Sequence, residues 1–126
     1  MSQLKIRWLQ AQINAGLKNW PRAEQGFSQA IRGFEEEGMG FHAAFASLEL
    51  ALVWMHQGRY AETQKLIPQV YEAFVALGIK EAFGAILVLK EAFEKQMGSV
   101  ELLEDVIEFL RRWYINPDER FRPRGE

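Results

Sequence analysis

The chain contains no cysteine. Disulfides and thiolate metal sites are therefore excluded, and the absence suits a reducing compartment. There is no surplus of positive charge either: 15 Lys and Arg stand against 17 Asp and Glu, for a formal net charge of −2. Nucleic-acid binding draws on concentrated Lys and Arg, so no nucleic-acid partner is expected. No apolar run reaches the roughly 18 residues of a membrane span. The longest, Ala43 to Val53, is interrupted by Ser47 and Glu49. The opening Met-Ser-Gln-Leu-Lys-Ile-Arg-Trp lacks the apolar stretch of a secretory signal. Elimination leaves a cytoplasmic protein without membrane contact.

What is present is a repeat. Trp20, Tyr60 and Val100 stand forty residues apart, and their surroundings recur with them. Ala23, Thr63 and Leu103 follow at plus three, then Phe27, Ile67 and Ile107, then Ala30, Val70 and Leu110. The rings Phe34, Phe74 and Tyr114 close each series. Gly58 and Gly98 hold equivalent places before the mark, and Gly38 and Gly78 do so after it. A period of this length marks a solenoid, whose units cannot bury their apolar faces alone. The 126 residues suit one domain, and 48% hydrophobic with 25% charged content is ordinary for a globular chain.

Each unit divides into two helical stretches. Leu4, Trp8, Ala11 and Ala15 recur at three- and four-residue steps, predicting a helix from about Gln3 to Leu17. Asn19 is positioned to cap the next, with Pro21 in its first turn, where an N–H is dispensable. Ala23, Phe27, Ala30, Ile31 and Phe34 form its stripe, and Gly38 ends it. From Gly40 to Gln57 a helix is apolar on more than one side, as a middle layer requires. Tyr60 to Leu77 follows, carrying Pro68 inside its pattern; an interior proline costs about 3 kcal/mol, and a bend is predicted before it. The third unit runs from Ile79 to Met97 and, after Gly98, from Ser99 to Tyr114, with Ser99 a candidate cap. Asn116-Pro117 ends the regular structure. An all-α domain is expected over 1–117, in repeats of about 1–38, 39–78 and 79–117, with a flexible tail over 118–126 in which Phe121 packs back.

These residues resemble the tetratricopeptide repeat. His56-Gln57-Gly58-Arg59-Tyr60-Ala61-Glu62 is similar to that family's turn, and Trp20, Ala23, Phe27 and Ala30 match its second-helix pattern. The family's usual unit is shorter, so forty residues resembles its long-helix bacterial subtype. Leu-Lys-Ile-Arg-Trp-Leu and Asn-Pro-Asp-Glu-Arg-Phe are similar to C-terminal segments of larger bacterial members. Thr63 and Leu103 depart from the small alanine. Glu91 and Glu94 replace Ala51 and Trp54, so the last helix pair should pack differently. The resemblance implies an α-solenoid of three helix-turn-helix units, six helices in all. It also implies a non-catalytic protein or peptide interaction module in a bacterial regulatory or signalling protein, with no cofactor.

Catalysis would need a nucleophile, an acid–base pair or a metal cluster. His42 and His56 lie fourteen residues apart on one expected helix. That is roughly 21 Å along the axis, too far to share a metal. No catalytic, cofactor-binding or metal-binding residue is assigned. By resemblance the first helices line a concave face, which places Trp8, Gln12, Phe45, Leu48, Leu52, Met55 and Lys95 as partner contacts, with Lys5, Val88 and Ala92 beside them. The same side chains read alternatively as core. Glu35-Glu36-Glu37 reads as a solvated helix end or as a dock for a basic segment. Arg111, Arg112, Arg120, Arg122 and Arg124 form a basic counterpart. Leu4, Ile6, Trp8 and Leu9 spread around the first helix, although a terminal unit normally has a polar outer face. The expectation is a C-terminal piece of a longer chain that pairs as a homodimer through these residues when isolated. A purely self-associating module is the alternative function.

Overall fold

The computed structural model describes residues 2–115, with Ile115 placed by its backbone alone. Asn116-Pro117, the tail with Phe121, and Arg120, Arg122 and Arg124 lie outside the described residues. Six helices follow one another: α1 (Gln3–Gly16), α2 (Trp20–Glu36), α3 (Gly40–His56), α4 (Tyr60–Leu77), α5 (Lys80–Glu94) and α6 (Val100–Ile115). Among the described residues no strand forms, so the protein is all-α.

Local chemistry sets most of the boundaries. Gly38, Gly58 and Gly78 take positive φ values of 70°, 75° and 71° at the helix ends, the left-handed conformation that closes many helices. Ser99 caps α6, its Oγ accepting from the Leu102 N–H at 3.1 Å. Asn19 does not cap α2 through its side chain; its carbonyl accepts from the Ala23 N–H instead. Pro68 sits inside α4, which runs without interruption from Tyr60 to Leu77. Gly98, though in register with Gly58, serves another purpose. Helix α5 stops early, and Gln96 takes the left-handed turn at φ 59°. Gly98 is needed for space: a Cβ there would lie 2.5 Å from the Phe93 ring.

Each helix packs on the next. Ala23, Phe27, Ala30 and Phe34 of α2 are all buried, as are Thr63, Ile67, Val70 and Phe74 at the same places in α4. Nine residues of α3 are buried, from Ala43 to Val53, the all-round burial expected of a middle helix. Backbones approach closely between α1 and α2, where a Cβ on Gly26 would meet the Ala11 Cβ at 2.7 Å and its Cα at 3.3 Å. Gly84 of α5, by contrast, has open space around it. Opposite responses to the same substitution follow. Gly84→Ala should stabilise by about 1 kcal/mol through helix propensity, whereas Gly26→Ala should destabilise by about 1–3 kcal/mol through overpacking. Urea unfolding of the two variants measures both.

The last helix departs from the pattern. It packs more extensively on α3 than on its own partner α5. Leu103, Val106, Ile107, Phe109 and Leu110 are all buried, in one core with Phe45, Leu48 and Ile86. Sequence accounts for the shift. Where α3 has Ala44, Leu48 and Ala51, α5 has Gly84, Val88 and Glu91. That surface of α5 is a poor apolar seat and stays exposed, while the corresponding surface of α3 is buried in the core that α6 joins.

Candidate interaction surfaces

The inner face of α3, expected to be an open concave surface, is occupied. The Phe41 ring lies 5.0 Å from Tyr114 and 5.9 Å from Trp113 of α6, and the Arg111 guanidinium sits over Phe45 at 5.8 Å. Phe45 and Leu48 are therefore core residues and cannot meet a partner, which corrects their assignment as contacts. Leu52 and Met55 are half-buried against the same core. Lys95 is exposed at the end of α5, beyond the covered region.

Trp8 and Gln12 have a structural task as well. Both point at Glu49 of α3, a carboxylate with 7% of its surface exposed. The Trp8 Nε1–H donates to one Glu49 oxygen at 2.6 Å, and the Gln12 Nε2–H donates to the other at 2.9 Å. Burial pushes the Glu49 pKa up from its ordinary 4.5 to about 7, against the pull of those two hydrogen bonds and of the Arg111 charge. One acid thus ties α1 to α3 and faces α6. A signal for it exists in the sequence, since Glu49 is the only charged residue in the apolar run from Ala43 to Val53.

Beside this node opens a cleft of 410 Å³. Gln12, Glu49, His56, Glu104 and Arg111 supply its polar groups, over Phe27, Leu52 and Ile107. His56 is stacked flat on Trp20, with ring centroids 4.5 Å apart. His42 lies elsewhere, among Trp8, Phe34, Phe41 and Tyr114. Burial lowers its pKa, and the nearby Lys5 charge adds to the effect. Among the described residues, no three His, Asp or Glu side chains gather where they could hold a metal ion. A second polar node gathers at Glu24, one turn along α2 from Trp20. Its carboxylate accepts from Trp54 Nε1 at 3.1 Å and pairs with Arg59 at 2.6 Å. Burial works against its ionisation, but the Arg59 and Trp54 hydrogen bonds outweigh that and hold its pKa below the ordinary value.

The outer face of α1 is a different kind of surface. Ile6, Leu9, Ile13 and Leu17 are exposed by 41%, 46%, 53% and 73%. Their spacing of three, four and four residues puts them in one stripe. The opposite side of the helix carries Leu4, Trp8, Ala11 and Ala15, which pack inward. Leu4 and Trp8 consequently leave the surface proposed for self-association, Leu4 because its side chain fills the space over Gly33. Ile6 and Leu9 stay in it, joined by Ile13 and Leu17. The sequence signal for those two is the four-residue spacing that continues from Leu9 through Ile13 to Leu17.

Charge is segregated along the same direction. Residues 2–34 carry Lys5, Arg7, Lys18, Arg22 and Arg32 against a single acid, Glu24, which is paired with Arg59. Residues 35–115 carry thirteen acids against seven Lys and Arg. Glu35, Glu36 and Glu37 are exposed at the end of α2. Arg111 pairs with Glu108 within its own helix at 2.9 Å.

These features define an all-helical protein of six consecutive packed helices, with no described helix long and apolar enough to cross a membrane. Comparison with protein-family models, curated proteins and solved structures finds no match.

Proposed function

We propose that this chain is a non-catalytic helical-repeat module of the tetratricopeptide type, which acts by binding another polypeptide through the outer face of α1. The bacterial regulatory or signalling setting and the cytoplasmic location belong to this same reading. The observation that carries it is the stripe Ile6, Leu9, Ile13 and Leu17, uncovered on a helix whose other side is packed. Apolar surface gathered this way marks an association site more often than chance exposure. Lys5 and Arg7 flank the stripe, and α1 contains no acid, so the complementary surface is an amphipathic helix with acidic borders.

A second reading is self-association. The stripe is roughly symmetric about a point between Leu9 and Ile13, so two antiparallel copies of α1 could pair with Leu9 facing Ile13. Like charges at Lys5, Arg7 and Lys18 oppose this arrangement.

One pair of substitutions tests the module. Ile13→Asp should leave helicity and the unfolding midpoint nearly unchanged, because Ile13 buries little. It should nevertheless abolish capture of a partner that the unchanged protein binds, whereas Glu36→Lys should retain it. The captured partner is then purified and its affinity for each variant measured. Equal binding by wild type and Ile13→Asp removes the proposal. Sedimentation over a concentration series addresses the second reading, which requires a mass that rises for wild type and stays monomeric for Ile13→Asp.

A further inference from the structure

The forty-residue register assigns a shape to what covers α1. Ile6 and Ile13 correspond to Ala46 and Val53 of α3 and to Ile86 and Phe93 of α5. All four of those counterparts are buried, none more than 2% exposed. What buries them is the helix that precedes each in the chain. Val53 shares a core with Ala23 and Phe27 of α2, and Ala46 shares one with Ala30 and Phe34. On α5, Phe93 lies 5.2 Å from the Tyr60 ring, and its carbonyl accepts from Gln64 Nε2 at 2.6 Å, both from α4. The same seat is thus built three times and filled twice. In both filled cases the occupant is antiparallel and brings a small residue, a large apolar one four places on, a smaller or branched one at plus seven, and Phe at plus eleven.

Resting on the reading above, we infer that the outer face of α1 is the seat for a helical hairpin of a partner polypeptide, whose second helix lies antiparallel across Ile6 and Ile13. The interface continues the one already formed between α2 and α3 and between α4 and α5. Leu9 and Leu17 extend the contact along one flank and the end. Gln10 stands where α3 has Leu50, so the other flank is polar. A second copy of this chain is a poorer occupant. The helix that continues the series is α6, and its matching residues Leu103, Ile107 and Leu110 are already buried.

The chain supplies its own probe. A second copy of residues 2–40 joined ahead of residue 1 keeps the forty-residue spacing and brings an α2 to the seat. In this extended chain the added hairpin should resist trypsin as well as the rest does, and ellipticity per residue should not fall. Ile13→Asp (the Ile13 of the original α1) should then lower the unfolding midpoint by about 5 °C or more, against less than about 2 °C in the 126-residue chain. Cutting a protease site at the junction should leave the hairpin co-eluting with the body, as a partner in trans would. An added hairpin that is digested away, or that separates on cutting, overturns the inference. If the hairpin is digested while the 126-residue chain forms dimers lost in Ile13→Asp, the α1 face binds but its occupant is wrongly assigned. If Ile13→Asp changes the extended chain's midpoint as little as that of the 126-residue chain, the hairpin does not rest on α1 and the inference falls.

Discussion

Raising the pH from 5 to 8 should cost the folded chain about 2.5 kcal/mol through Glu49 alone, and Glu49→Gln should abolish that loss. The folded carboxyl has a pKa of about 7 and an ordinary one of 4.5. Between these values the folded protein holds a proton that the unfolded chain has released. Stability from this group is complete below about 4.5 and drains away as the pH rises through 7, at roughly 1.4 kcal/mol per pKa unit. Glutamine keeps an oxygen for Trp8 Nε1–H and, once the Gln12 side-chain amide turns over, donates its own N–H to Gln12 Oε1, so the geometry survives without the charge. His42 works in the opposite direction. Its lowered pKa adds stability as the pH rises, in both proteins alike, so the difference between the two isolates Glu49. Urea unfolding at half-unit steps of pH provides the measurement. Parallel curves for wild type and Glu49→Gln would mean that the carboxylate is far better solvated than its burial implies.

Trp8→Ala should destabilise the fold by about 3–5 kcal/mol, from the lost ring alone. The indole packs edge-on to Phe34 at 5.4 Å and to Phe45 at 6.0 Å, and it donates to Glu49. Removing it opens a void at the junction of three core clusters and strips a buried carboxylate of one of its two donors, which adds about 1–3 kcal/mol. Trp8→Phe separates the contributions, since it keeps most of the packing and loses the N–H. Its cost should be close to the hydrogen-bond part alone, and should shrink as the pH falls and Glu49 takes up a proton. A Trp8→Ala protein with wild-type stability would show that α1 is held by other contacts.

Much of the architecture was legible because local rules agreed with the period. Gly38, Gly58 and Gly78 mark turns that need a left-handed residue, and the spacing from Ala23 to Phe34 permits one buried stripe. Reading failed where a position's fate depends on a distant partner. Gly98 matches Gly58 in register but not in role, because the early end of α5 moves the left-handed turn to Gln96. Phe45 and Leu48 occupy positions that are either core or open groove. Nothing within forty residues reveals that α6 crosses to cover them. The hint lay in the third unit itself, where Gly84 and Glu91 deny α6 an apolar seat on α5. Trp8 and Gln12 read from the sequence as contacts on a concave face, with core as the alternative. Their joint target became apparent only when α1 and α3 were placed side by side.

The crossing of α6 to α3 also bears on how the molecule comes apart. In an open stack each unit touches only its neighbours, and melting spreads inward from whichever end is weaker. Here α6 links residues more than fifty positions apart, so α3 through α6 should melt together rather than one helix at a time. The hairpin of α1 and α2 lies outside that closed loop and is fastened to it by the α2–α3 contact and the Glu49 bonds. Its opening would part the α2–α3 contact without breaking that loop, and among the described residues it carries the one long apolar stripe left in water.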